Sequence, residues 1–333
     1  MKTLYIGAYG FGNLGDELVL IESIQAFSPS SPGADSKEAD EVWVRSVAKD
    51  YTAKFIKADG YIQWEPACPD KNYPVKFDRV IMGGGGILNG LPGRDYMSWI
   101  VAAQNSGAKT YIHNVGASGP NDASWISDDI RNAFEKLDGF TVRDEDSLSK
   151  FKNWGIQREI GLTKFPETSL PIDQSIADML PEGKYLGVSV NNGHAFFEMV
   201  NKNADKIAEF LSEYKTNGYK VIPIISTVHR FAEVEDDIKG FQRFAEKFLK
   251  DFEIVLSQTL DHDWWYEHMS PQKLKGLINK CDTLFSRRKH NCVHSIACGV
   301  KTVGLSRKDD YGVQSVFDSL ADILPEGSFS MRF

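Results

Sequence analysis

The sequence predicts an α/β protein of two Rossmann-like domains in series, facing a central cleft. Three observations predict it. Short apolar runs of strand length recur at residues 3–8, 42–45, 77–82, 110–115, 139–142, 185–190 and 220–225, and stretches with helical spacing separate them. At 333 residues the chain is long for one hydrophobic core, so two are expected. Several of the runs end in glycine, asparagine or a charged residue, as where an open parallel sheet places its ligand crevice.

Composition narrows the class. With 42% hydrophobic residues the chain can bury two cores, and disorder is not expected. A net charge of −8 argues against a general nucleic-acid or anionic-membrane surface. The cysteines at 68, 281, 292 and 298 form no CxxC pair and no disulfide-framework spacing, so a reduced, cytoplasmic setting is expected. Asp16 and Glu17 follow the first apolar run too soon for a signal peptide. No apolar run is long enough to enter and cross a bilayer, and no membrane insertion is expected.

Residues 3–8 read as a first buried strand, 9–15 as a glycine-rich turn, and 16–26 as a helix through Leu18, Ile21 and Ile24. Gly10, Gly12 and Gly15 spell G-x-G-x-x-G, but Asp16 and Glu17 fill the first helical turn and neutralise the dipole a pyrophosphate uses. Those carboxylates suit sugar hydroxyls, or simply cap the helix. Residues 28–40 read as a loop, 42–45 as a second strand and 61–64 as a third. The strand over 77–82 runs into Gly83-Gly84-Gly85-Gly86, which fits a close approach of backbone to a ligand or another strand. Asn89, Arg94 and Asp95 are expected in the loop that follows, in reach of a sugar. A helix over 96–103, a strand over 110–115 in which His113 is expected to pack or to stand behind a site, a helix over 128–136, a strand over 139–142 and a helix over 147–154 come next. Arg143, at a strand end, can fork onto a carboxylate or phosphate, or pair with Asp144 or Asp146.

Prolines 166, 171 and 181 punctuate residues 164–181, where a linker is expected between domains over 1–170 and 171–333. Strands follow over 185–190, 220–225 and 253–256, and helices over 205–214 and 238–248. Residues 261–269 hold His262, Asp263, Glu267 and His268, whose spacing fits no zinc motif, and read as a solvated loop. Ser270-Pro271 starts a helix to residue 279. A strand over 283–285 then meets Arg287, Arg288, Lys289 and His290, and Cys292, Val293, Ile296 and Ala297 recur at helical spacing up to Gly299. In an acidic chain this basic turn fits one small anion at a helix N-terminus, or a solvated loop. His290 and His294 share a helix face with no third ligand in view, so no metal is expected.

Ser286, Arg288, His290, Gly299 and Val300 fall on the pattern Ser-x-Arg-x-His, eight residues, Gly-Val. Gly12-Asn13-Leu14-Gly15-Asp16-Glu17, the glycine run 83–86 and Val142-Arg143-Asp144 precede it. With these four motifs, in that order, the chain resembles the polysaccharide pyruvyl transferases over most of its length. Lys289 departs from a usual hydrophobic position, Lys301 from a proline and His294 from an apolar position; Lys308 stands near, but off the spacing of, a family lysine. The resemblance implies a GT-B-like fold and transfer of a pyruvyl group from phosphoenolpyruvate onto two hydroxyls of a sugar. A ketal forms, phosphate leaves, and no cofactor beyond that donor substrate is implied. His290 is then the acid, and Asp16 or Glu17 orients or deprotonates the acceptor. Arg143, Arg288 and Lys289 clamp the donor, with Asn13, Gly84, Gly85 and Asn89 as further substrate contacts. The N-terminal domain takes the acceptor side and the C-terminal domain the donor side. The implied partner is a sugar or glycan, whether free, polymeric or lipid-linked. Two alternatives stand beside this reading: a GT-B glycosyltransferase or epimerase holding a nucleotide-sugar at the basic turn, and a non-catalytic carbohydrate-binding homologue.

Overall fold

The computed structural model describes residues 1–28, 40–63, 76–117, 121–308 and 312–333. These divide into two α/β units. Unit 1 is Met1–Phe11 with Asp16–Pro166; unit 2 is Glu167–Phe333 together with the short segment Gly12–Gly15.

In unit 1 the chain runs β1 (Lys2–Ile6), α1 (Leu14–Ala26), β2 (Glu41–Ser46), α2 (Lys49–Thr52), β3 (Gly60–Gln63), β4 (Arg79–Gly83), α3 (Gly90–Asn105), β5 (Lys109–Val115), α4 (Asp128–Glu135), β6 (Gly139–Val142), α5 (Glu145–Asn153) and β7 (Gly161–Leu162). The sheet order is β3-β2-β1-β4-β5-β6-β7, and its pairings are parallel. Successive side chains of a strand face opposite sides. Thus Leu4 and Ile6 of β1, with Val80 and Met82 of β4, enter one core with Ile100, Phe134 and Phe151. Tyr5 and Ile81 face the other side and pack on Leu20 and Ile21 of α1. The strand order reverses between β1 and β4, and that switch point is where doubly wound sheets open a crevice.

Unit 2 runs β8 (Tyr185–Ser189), α6 (His194–Lys202), α7 (Ala204–Thr216), β9 (Lys220–Pro223), α8 (Asp237–Phe248), α9 (His262–His268), α10 (Pro271–Asn279), β10 (Thr283–Ser286), α11 (Lys289–Ala297), β11 (Lys301–Ser306), α12 (Gln314–Ser319) and β12 (Phe329–Arg332). Its sheet, β12-β11-β10-β8-β9, is also parallel, with the switch point between β8 and β10.

Several expectations change. Residues 253–256 form no strand: Ile254 makes a single bridge to Val221, and Leu256 turns left-handed with φ 54°. Within residues 261–269, His262–His268 form helix α9 instead of a loop. Asp261 caps it by accepting Trp264 N–H at 2.8 Å, and the buried Trp265 donates its indole N–H to Ile225 O at 2.9 Å. Arg94 and Asp95 lie inside α3, where Asp95 pairs with Arg45 at 2.9 Å and Arg94 Nε donates to Trp125 O at 3.0 Å. α6 follows at once on the turn after β8. Trp64 and most of the 28–40 loop fall outside the described residues. Among the described residues, no helix is long and apolar enough to cross a membrane.

Candidate active site

The switch point of unit 2 gathers the basic turn. Arg287 N–H donates to Ser189 O at 2.8 Å, prolonging the β8–β10 pairing by one residue. Ser286 Oγ accepts Arg288 N–H at 3.0 Å, and Asn291 reaches back to Ser189 Oγ at 2.7 Å. Arg288 thereby becomes the N-cap residue, and Lys289 and His290 open α11. A helix start presents free N–H groups to an anion.

Arg288 itself is engaged at every guanidinium nitrogen. Nε donates to Asp237 Oδ1 at 2.7 Å, Nη1 to Glu235 Oε2 at 2.5 Å and Nη2 to Glu235 O at 2.9 Å. Burial opposes its charge, but Asp237 and Glu235 more than offset this and raise the guanidinium above its ordinary value. The other oxygen of Asp237 accepts Ser226 N–H at 3.0 Å, Ser226 O–H at 2.9 Å and Thr227 N–H at 3.0 Å. Those residues in turn hold the segment from the N-terminal motif. Leu14 N–H donates to Ser226 O at 2.9 Å, Val228 N–H to Gly12 O at 2.8 Å, and Asn13 bridges Thr227 in antiparallel fashion.

The two motif glycines of this segment are required by close approach. A methyl group on Gly12 would overlap Val228 O, and one on Gly15 would overlap the His290 ring. Asn13 Oδ1 accepts Gly15 N–H at 3.0 Å, closing the turn. Residues from opposite ends of the chain thus form one group: Gly12 to Gly15, Ser226 to Val228, Asp237, Arg288 and His290. His294, one turn along α11, is buried away from it; burial, and then Lys275, push its imidazole down to about 3.

In unit 1 the glycine run bends at Gly84 and Gly85, with φ of 75° and 69°. Asp16 lies against Gly85, Gly116 N–H donates to Gly85 O at 2.8 Å, and Arg143 packs on Gly116. Arg143 is 5% exposed, with Asp144 Oδ2 3.8 Å from its Nε. Just before Gly116, β5 bulges, and Asn114 takes φ 55° while donating to Glu22 Oε2 at 2.8 Å. Glu17 is fully buried: it accepts Gly10 N–H at 2.6 Å and Thr52 O–H at 3.4 Å. Burial first, then the Asp16 charge, pushes its carboxyl up to about 8 against the pull of those bonds. Asn89 is the N-cap residue of α3 and accepts Gly93 N–H through its carbonyl at 2.8 Å.

Sequence reasoning did not reach the partners of Arg288. Asp236-Asp237 ahead of a helical stretch was the available signal, since one of the pair caps α8 and the other is left for a distant cation. Among the described residues, no three His, Cys, Asp or Glu side chains gather as a metal site.

The family model of the polysaccharide pyruvyl transferases matches residues 13–309, from the glycine motif past the basic turn. The chain belongs to the polysaccharide pyruvyl transferase family. No curated protein matches it. Among solved structures, this pyruvyl transferase family member is similar to the UDP-GlcNAc 2-epimerase from Neisseria meningitidis bound to UDP-GlcNAc. Identity is 11%, coverage 98% of this chain and 87% of that one, and the TM-score 0.53. A protein from Listeria monocytogenes assigned as a UDP-N-acetylglucosamine 2-epimerase is similar at 10% identity, with 97% and 87% covered and a TM-score of 0.52. At such identities the likeness is one of fold: two Rossmann-like units in series, the GT-B-like class.

Proposed function

We propose that this family member transfers a pyruvyl group from phosphoenolpyruvate onto two hydroxyls of one sugar in a polysaccharide or its precursor. The observation that carries the reading is the His290 ring seated on Gly15, which joins the glycine motif and the basic turn in one group. His290 gives a proton to the donor's methylene carbon, which becomes a methyl group and leaves C2 electrophilic. The first hydroxyl oxygen bonds to C2, and its proton restores the imidazolium. The second hydroxyl oxygen bonds to C2 as the C2–O bond to phosphate breaks, and its proton leaves with the phosphate. The sum consumes no proton and moves no electrons between molecules, so the scheme needs no cofactor.

Arg287 and Lys289, at the start of α11, are the cations that answer the departing phosphate. Arg143 offers a fork to a carboxylate. Arg288 we assign to positioning, because its nitrogens already hold Asp237 and Glu235. Asp16 remains the carboxylate for orienting a hydroxyl; the burial of Glu17 suits holding the 10–15 loop. Asn13, Gly84, Gly85 and Asn89 shape backbone in this scheme. The free thiols Cys281, Cys292 and Cys298 support a cytoplasmic setting.

The test is phosphate release from phosphoenolpyruvate across a panel of galactosides and mannosides, with thermal stabilisation by phosphoenolpyruvate and by UDP-sugars measured alongside. Acceptor-dependent phosphate release is expected. Stabilisation by a UDP-sugar alone would replace this reading with a nucleotide-sugar enzyme, and no response to either would leave a carbohydrate-binding homologue.

A further inference from the structure

Unit 2 holds a concavity that this scheme does not use. His229, Arg230, Phe231, Asp236, His262 and Tyr266 are among the residues around a cavity of about 500 Å³, within the ~300–1,000 Å³ of ligand clefts. Its wall is held in shape. His229 Nδ1 accepts both Phe231 N–H at 3.1 Å and Ala232 N–H at 3.0 Å, and this turn leaves Phe231 71% exposed. Asp236 caps α8 with one oxygen, taking Ile238 N–H at 2.9 Å and Lys239 N–H at 3.2 Å. Its other oxygen lies 2.9 Å from His262 Nε2. A buried carboxylate therefore orients an imidazole whose side chain is 46% exposed. The Arg230 guanidinium stands 5.0 Å from the centroid of the Tyr266 ring, and Tyr266 O–H donates to Val228 O. Val228 also donates its N–H to Gly12 O, so this wall is continuous with the segment that seats His290.

The lining selects among ligands. An exposed aromatic face suits the C–H face of a sugar ring. A planar guanidinium and an imidazole–carboxylate pair, each fixed in direction, suit neighbouring hydroxyls, which both donate and accept. Lys239 also lines the cavity, but its ammonium is taken by Glu233 Oε1 at 2.7 Å. A phosphate would meet the Asp236 carboxylate, and an apolar chain would strip water from the guanidinium and the imidazole. We infer that this cavity is a carbohydrate subsite: a pyranose ring lies on Phe231, with its hydroxyls bonded by the His262–Asp236 pair and by Arg230. Calling that ring the acceptor rests on the pyruvyl-transfer reading; its binding does not.

Saturation-transfer NMR on the full chain tests this, with the methyl glycosides of galactose, mannose and N-acetylglucosamine as probes. At least one probe binds the wild type, and Phe231→Ala and His262→Gln each weaken that probe by about tenfold. Stabilisation by phosphoenolpyruvate is unchanged in both variants. Undiminished glycoside binding by both variants, or no glycoside binding by the wild type, overturns the subsite. Glycoside binding that depends on Phe231 and His262 in a protein giving no response to phosphoenolpyruvate upholds the subsite and removes pyruvyl transfer. Wild-type acceptor KM in both variants, in a protein that does release phosphate, leaves pyruvyl transfer standing and shows that the ring in this cavity is not the acceptor.

Discussion

Gly15 and Arg288 each owe their character to what lies opposite. The missing side chain of Gly15 gives the His290 ring its seat, and Arg288 neutralises two carboxylates, one of them the fully buried Asp237. The two cationic-turn residues should therefore fail differently. His290→Gln removes the proposed acid, so the rate of phosphate release falls by about two to four orders of magnitude while stabilisation by phosphoenolpyruvate persists. Arg288→Ala leaves Asp237 buried without its counter-charge, a loss on the order of 3–5 kcal/mol in folding stability. Urea denaturation beside the phosphate assay separates them. A stable Arg288→Ala that merely binds the donor less tightly would return this guanidinium to the anion clamp.

Helix α1 carries a titration in its first turn. Burial holds the Glu17 carboxyl at about 8 in the folded chain, against an ordinary value of 4.5. The folded state binds the extra proton between those values, so this group makes stability fall as pH rises from about 4.5 to about 8. Glu17→Gln keeps an oxygen for the Gly10 N–H and removes the charge. The variant should match the wild type near pH 5 and exceed it near pH 8, by a few kcal/mol at most. Chemical denaturation across that range reads the difference. His294, lowered by burial, loses stability in the opposite direction, as pH falls below its ordinary 6.5. The wild-type minus variant difference therefore isolates Glu17, and parallel curves would sink the assignment. The neighbouring helices show what local signals carry. α10 was legible because Ser270 and Pro271 mark its start within two residues. α9 was not, since its Trp265 is secured by the carbonyl of Ile225, forty residues earlier.

At the scale of the whole chain, the division into units is not a single cut. Gly12–Gly15 belongs to unit 2 although unit 1 surrounds it in sequence. A fragment spanning 167–333 therefore loses two backbone hydrogen bonds, from Leu14 to Ser226 and from Val228 to Gly12. At about 0.5–1.5 kcal/mol each, the fragment should be measurably less stable, and its Val228 amide should exchange much faster than in the full chain. Hydrogen exchange at Val228 as slow in the fragment as in the full chain would mean that the segment contributes nothing.

The alternation of strand and helix, the parallel class, and the family motifs were in the sequence, because periodicity, helix caps and glycine runs act over a few residues. The tertiary structure alone decided which distant residues meet. The sequence shows Arg288 only as one of a basic run; that its Nε donates to Asp237, fifty-one residues away, is visible only in the fold. Glu17 reads as a carboxylate for sugar hydroxyls or a helix cap, and only the fold shows it fully buried with its carboxyl pushed up to about 8. The reason is physical: the charge state and hydrogen bonding of a polar side chain are set by what surrounds it, and the packed fold supplies those surroundings.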